Sequence, residues 1–164
     1  MPRKTANSTP QPALSLSVQY AVKPDDAPTR ARFRRWVKAA LCRDAEIALR
    51  IVDEEEGRML NRDYRGKDYA TNVLTFVYDE DFPGVARPLA GDIVLCAPVV
   101  AREAAEQGKT VEEHYAHLTV HGVLHLQGYD HETDAEAQQM EAQETQTVMK
   151  LGYADPYQQE TKDI

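Results

Sequence analysis

From Leu14 to Tyr20 apolar and polar residues alternate strictly, with Leu14, Leu16, Val18 and Tyr20 set between Ser15, Ser17 and Gln19. A period of two sends one set of side chains to one face, so this stretch predicts a half-buried strand. The period then changes. Phe33, Trp36, Val37, Ala40 and Leu41 follow helical spacing, with Arg32, Arg34, Arg35 and Lys38 between them as a basic outer face. Ile47, Leu49 and Ile51 return to period two. Asp53, followed three residues later by Glu56, has the form of a capping box and predicts a short helix through Met59 and Leu60. Strands follow around residues 72–78 and 92–96, joined by an acidic loop carrying Pro83, Gly84 and Pro88. Pro98 suits the first turn of a helix that Gly108 closes. Thr110 with Glu113, and Thr133 with Glu136, open two more helices, and Gly128 and Gly152 stand where these end.

Strands early and helices crowding the C-terminal half describe a single α/β (α+β) domain of about four strands and five helices. It is expected over residues 14–152, between a flexible N-terminal tail (1–13) and a C-terminal tail (153–164). At 164 residues the chain is large enough to bury a core, and 42% of its residues are hydrophobic. Cys42 and Cys96 form no CxxC pair, which speaks against a disulfide scaffold or a thiolate zinc site and fits a reducing cytosol. The polar N-terminus has no apolar core of a secretory signal, and the longest apolar run (93–101) is too short to span a bilayer. A cytoplasmic protein without membrane contact is expected.

The formal charge of −8 speaks against a generally nucleic-acid-coating surface, but it is unevenly placed. Residues 1–70 carry 14 Lys and Arg against 10 Asp and Glu, or +4, and residues 71–164 carry 5 against 17, or −12. A polyanion-facing side and the solvated faces of amphipathic helices account for this asymmetry equally well.

All five histidines fall between positions 114 and 131. On a helix, His114, His117, His121 and His125 share an arc of about 80°. His121 and His125 are one turn apart and can send two imidazoles to one metal, and a reversal at Gly128 can return His131 to the same ion. HGVLHLQGYDH thus offers three neutral nitrogen donors and leaves a fourth position open, the arrangement of a catalytic zinc site. A histidine-rich face making ordinary hydrogen bonds and a closed structural site are the alternatives. The spacing HxxxHxxGxxH equals that of the metzincin proteases, except that Gly122 stands where those enzymes carry their general-base Glu. That departure turns the reading from peptide hydrolysis toward phosphodiester cleavage, where a metal activates water or polarises a phosphoryl oxygen. His117 and Asp130 are the nearest replacement proton-handling groups. They serve equally well as a packed residue and an orienting partner of a ligand His.

At this motif the chain resembles the YbeY family of bacterial rRNA maturation endoribonucleases. His121, Gly122, Leu124, His125, Leu126, Gly128, Tyr129, Asp130 and His131 match the family's histidine motif. YRGKDYATNVLTF and GDIVLCA resemble two further blocks, with Arg65, Asp68, Thr71, Val73, Leu74 and Phe76 fitting the first. Ala70 and Val77 stand where proline is usual, and Thr75 and Cys96 replace common serines. None of the four is expected to touch a ligand. The resemblance implies a mixed sheet packed by helices and one zinc ion. It also implies cleavage of single-stranded RNA, with a role in small-subunit (16S) rRNA 3′-end maturation and ribosome quality control. The partners implied are ribosomal RNA and the small ribosomal subunit, not DNA.

Arg65 carries over as the second functional residue, since a guanidinium grips phosphate oxygens bidentately. An ion pair with Asp63 or Asp68 is its alternative use. Lys67 is a weaker candidate for RNA contact, and the basic residues at 32–38 are either an RNA track or a solvated face. Two rival functions share these features: a peptidase-like metal hydrolase, and a non-catalytic ribosome assembly factor stabilised by zinc.

Overall fold

The computed structural model describes residues 11–78 and 87–157. Residues 1–10 of the expected N-terminal tail, 158–164 of the expected C-terminal tail, and most of the acidic loop (79–86, with Pro83 and Gly84) lie outside the described residues. Among the described residues nine elements follow one another: β1 (Leu14–Tyr20), α1 (Arg30–Ala40), β2 (Ala45–Val52), α2 (Glu54–Arg65), β3 (Val73–Val77), β4 (Leu89–Cys96), α3 (Ala97–Glu106), α4 (Val111–Leu126) and α5 (Asp134–Lys150). They form one four-stranded sheet in the order β1-β2-β4-β3. The first three strands in that order are parallel, and β3 runs antiparallel to β4 at the far edge. The mixed sheet and five helices are those expected.

Burial explains the patterns. The edge strand β1 alternates between exposed and covered positions, whereas Ile93, Val94, Leu95 and Cys96 of the inner strand β4 are all buried because both sheet faces are covered. One face packs the main core, where Phe33, Trp36 and Val37 of α1 meet Tyr115, Val120 and Val123 of α4. The other face carries a smaller cluster of Val52, Leu74, Val94, Cys96 and Val99, with Leu60 and Phe76 at its margin. The catalytically suggestive helix α4 therefore lies on the main-core side, and α2 lies on the opposite side.

α2 is longer than its apolar pattern suggests. Asp53 accepts from the Glu56 backbone N–H at 2.8 Å as expected. The Glu56 carboxylate does not complete a capping box, because Arg50 holds it at 2.7 and 3.2 Å. The helix continues past Leu60 until Gly66, at φ 72°, stops it. That extension places Arg65 in the last turn.

Gly91 sets how closely β3, β4 and α4 approach. A Cβ there would stand 2.8 Å from the Phe76 carbonyl oxygen and 2.8 Å from Leu126 Cδ2. Gly91→Ala is accordingly expected to destabilise the fold by about 1–3 kcal/mol, toward the upper end because one obstacle is backbone. Urea unfolding checks this, as a lower midpoint at unchanged slope.

His114 ties three elements together. It is buried, and its Nε2–H donates to Glu103 Oε1 at 2.8 Å, an oxygen that also accepts from Asn72 Nδ2 at 2.9 Å. Burial holds the His114 pKa below the usual histidine value, with Lys109 and His117 acting the same way and Glu103 opposing them. The folded state thus binds this proton less readily than the unfolded chain. The resulting stability is full above about pH 6.5, the unfolded value, and is lost as pH falls toward the depressed folded value. With chelator present, the urea midpoint should drop between pH 7.5 and 5.5, and drop less in His114→Gln.

The chain stays packed beyond Gly152. Tyr153 sits edge-on to Trp36 with ring centroids 6.4 Å apart, and its hydroxyl donates to Glu112 at 2.6 Å. The Tyr157 hydroxyl donates to Glu144. At the other end, Ala13 N–H donates to Asp44 Oδ1 at 2.8 Å.

Candidate metal centre

Two well-capped helix ends bring the histidines together. Thr110 accepts from Glu113 N–H at 3.1 Å and Glu113 accepts from Thr110 N–H at 3.0 Å, so α4 begins with the expected capping box. It ends as Gly128 turns the chain at φ 103°, with Tyr129 N–H donating to the Leu124 carbonyl at 3.1 Å. Thr133 and Glu136 exchange the same pair of bonds at the start of α5. His131 lies in the short turn between these two fixed points.

The rings of His121, His125 and His131 form a nearly equilateral triangle, with centroids 6.3, 6.2 and 6.1 Å apart. Imidazoles bound to one zinc at about 2.0–2.1 Å stand roughly 5 Å apart, a closure of about 1 Å that ring rotation supplies. The tightest cluster of donor atoms is a slightly different set, His125, Asp130 and His131, all within 4.8 Å of one another. Asp130 Oδ1 already accepts from His131 N–H at 2.7 Å and lies 4.0 Å from His125 Nε2, which makes it a neighbour of the donors.

Each helix-borne ring is held by its other nitrogen. His125 Nδ1 lies 3.1 Å from Thr75 Oγ1 on β3, and His121 Nδ1–H donates to Glu144 Oε2 on α5. The nitrogen left for the centre is Nε2 in both. Burial lowers the His125 pKa, aided by His121, His131 and Arg65 and opposed by Asp130, which favours the neutral form that a metal ligand needs. The donor set and its tautomers fit a divalent metal of zinc's preference.

These rings open onto a cavity of about 290 Å³ lined by Arg65, Val73, Leu74, Thr75, His121, His125, Asp130, His131 and Glu132. Arg65 reaches it from α2, on the other side of the sheet, across the edge strand β3. The carboxylates that might have paired with it are held elsewhere: Asp68 by Arg58 at 2.8 and 3.1 Å, and Asp63 by Arg62 at 3.3 Å. Among the described residues Arg65 has no ion pair.

Other sequence candidates fall outside this cavity. His117 turns its Nε2 to Glu144 Oε1 at 3.1 Å, and Lys67 is exposed in the loop after α2. On α1, Arg32 pairs with Glu112 at 2.9 Å, and Arg34 and Arg35 donate to the carbonyls of Leu14 and Leu151. The helix packs against β1, at the sheet edge away from β3.

The family model described as Endoribonuclease YbeY matches residues 19–152. The chain belongs to the YbeY family. Similar proteins named Endoribonuclease YbeY come from Methylobacillus flagellatus, 62% identical over 92% of this chain and 98% of its own length, and from Nitrosomonas europaea, 60% identical over 88% and 85%. The fold is also similar to the solution structure of TM1509 from Thermotoga maritima, with TM-score 0.57 and 27% identity over 87% of this chain and 99% of that one.

Two residues around this YbeY-family site escape the sequence pattern. Thr75, one of the departures expected to touch no ligand, contacts His125, and a hydroxyl is what the position needs. Glu144 is completely buried. Burial alone would raise its carboxyl pKa, but the hydrogen bonds from His117 and His121 outweigh it and bring the value to about 2. A signal for Glu144 does exist: it shares the buried stripe of α5 with Met140, Thr147 and Val148, an acidic residue at a core position.

Gly122 also gains an explanation. A Cβ there would meet Ile93 Cδ1 and Cγ2 at 3.3 Å and Thr75 Cγ2 at 3.4 Å, so position 122 faces the sheet. Glycine lets α4 lie against β3 and β4.

Proposed function

We propose that this YbeY-family chain, a metal-dependent endoribonuclease, cleaves single-stranded RNA with one zinc ion held by His121, His125 and His131 and with Arg65 bound to the scissile phosphate. The observation that carries the reading is the convergence of three imidazoles and the Arg65 guanidinium, which has no ion pair among the described residues, on one cavity. Zinc, when bound, supplies a Lewis acid that polarises a phosphoryl oxygen or lowers the pKa of water.

The protein's own residues do the rest. Arg65 binds non-bridging phosphate oxygens through paired N–H donors and offsets the charge that grows on them in the transition state. It arrives from α2 while the histidines arrive from α4 and the following turn, so the phosphate lies between two rigid elements. Asp130, the carboxylate beside His125 Nε2, takes the proton that the nucleophile releases. His117 is not part of this step, because its Nε2–H is committed to Glu144.

Steric and charge observations favour RNA over peptide. A Cβ at position 122 would already meet Ile93 at 3.3 Å and Thr75 at 3.4 Å, so the longer side chain of a peptidase glutamate would crowd the sheet there. The phosphate-binding cation, by contrast, is at hand. Family resemblance points to the 3′ end of small-subunit rRNA as the substrate and to the small ribosomal subunit as the partner. The free thiols of Cys42 and Cys96 accord with work in the cytoplasm. Among the described residues no helix is long and apolar enough to cross a membrane.

Zinc-loaded protein is expected to cut a single-stranded RNA carrying the small-subunit 3′ end, to leave the same sequence intact as duplex, and to leave unfolded peptides intact. Cleavage of peptide with RNA untouched favours the peptidase rival. Tight binding to the small subunit without any cleavage favours the assembly-factor rival.

A further inference from the structure

A carboxylate without exposed surface is costly unless its charge is met by several donors. Glu144 sits in the middle of α5, at a position where its neighbours Met140 and Val148 are ordinary core residues. Three donors reach it from two other parts of the chain. His121 Nδ1–H donates to Oε2, and His117 Nε2–H, at 3.1 Å, and the Tyr157 hydroxyl donate to Oε1. His117 also packs edge-on against the Tyr157 ring, with centroids 5.5 Å apart.

We propose that Glu144 is a positioning residue of the metal centre, holding the His121 ring with Nε2 toward the metal, and that Tyr157 from the C-terminal segment clamps it there. α4 fixes the Cα and Cβ of His121, but the ring still turns about its side-chain bonds. A hydrogen bond from Nδ1 removes that freedom and also selects the tautomer whose lone pair lies on Nε2. The same job is done for His125 by Thr75, from the opposite side. The two helix-borne ligands are thus locked independently, one through the sheet and one through α5. Tyr157 joins the arrangement because its hydroxyl engages Oε1 and leaves Oε2 directed at His121. Residues after Gly152 therefore belong functionally to the metal centre.

This rests on the reading of His121 as a ligand, and the test separates the two. Zinc affinity is measured by chelator competition for the wild-type chain, His125→Ala, Glu144→Gln and Tyr157→Phe, together with the visible absorption of each cobalt-substituted protein. The thermal midpoints of the metal-free forms show which variants fold. Wild type should bind zinc, and His125→Ala should lose it. Glu144→Gln is expected to bind zinc roughly 10–100-fold more weakly with a changed cobalt spectrum, the usual effect of losing an orienting partner. Tyr157→Phe, which removes one hydroxyl and keeps the ring, should weaken zinc in the same direction by a smaller factor. A purely structural tie predicts lower thermal midpoints with affinity and spectrum unchanged in the folded protein, and that result overturns the proposal. If Glu144→Gln does not fold, unchanged zinc affinity in Tyr157→Phe overturns it. Failure of the wild-type chain to bind zinc defeats the underlying metal reading instead, and is read from that arm before any variant is compared.

Discussion

His125→Ala is expected to abolish metal retention and lower RNA cleavage by roughly 10³-fold or more. The estimate follows from the several kcal/mol of transition-state charge stabilisation that a bound metal supplies, at tenfold per 1.36 kcal/mol. His125 is the sharper of the two helix positions to change. Its ring is held on one side only by the Thr75 hydroxyl, whereas removing His121 would also strip a donor from the buried Glu144 carboxylate and confuse loss of metal with loss of fold. The His125 ring borders an open cavity, so its removal leaves space that water fills. The thermal midpoint of the metal-free variant should accordingly stay close to that of the metal-free wild type. Zinc content by elemental analysis and cleavage of a labelled single-stranded RNA, measured on the same preparation, check the prediction.

Arg65→Ala should separate chemistry from metal binding. Arg65 touches no donor histidine and closes α2 on the far side of the sheet, so zinc content and stability should be unaffected. Cleavage should fall by about 10²–10³-fold, the typical loss when one preorganised donor to a developing oxyanion is removed. Arg65→Lys should recover part of the rate. A lysine supplies the charge, but it is a point donor that cannot grip two phosphate oxygens in one plane. If Arg65 served only as a surface charge, both variants would cut RNA at the wild-type rate.

What the sequence made legible depended on whether the physical cause was local. β1 was readable to its ends because an edge strand with one covered face writes strict alternation into its residues. The pattern predicts β4 only from Asp92, because Leu89, Ala90 and Gly91 carry no alternation and owe their strand to pairing with β2. The apolar positions of α2 thin out near Leu60, although the backbone continues to Gly66.

The histidines follow the same rule. The one-turn spacing of His121 and His125 and the reversal at Gly128 are local facts, and they suffice to place three rings around one centre. The partners that orient two of those rings come from 50 residues before His125 and 23 residues after His121. Spacing has no way to reveal contacts of that range. The four histidines on one helix arc divided for the same reason: His114 met Glu103, His117 met Glu144, and only His121 and His125 face the cavity. Arg65 was read through resemblance. The structure adds that Arg58 and Arg62 occupy its neighbouring carboxylates and that its guanidinium has no ion pair among the described residues.

The central claim is that one metal on three histidines and one arginine from across the sheet together cleave RNA. Its most direct test is to measure zinc content and single-stranded RNA cleavage side by side in wild type, Arg65→Ala and His125→Ala. The account predicts zinc with cleavage in the first, zinc with little cleavage in the second, and neither in the third. A folded, zinc-free His125→Ala protein that cuts RNA at the wild-type rate would contradict it.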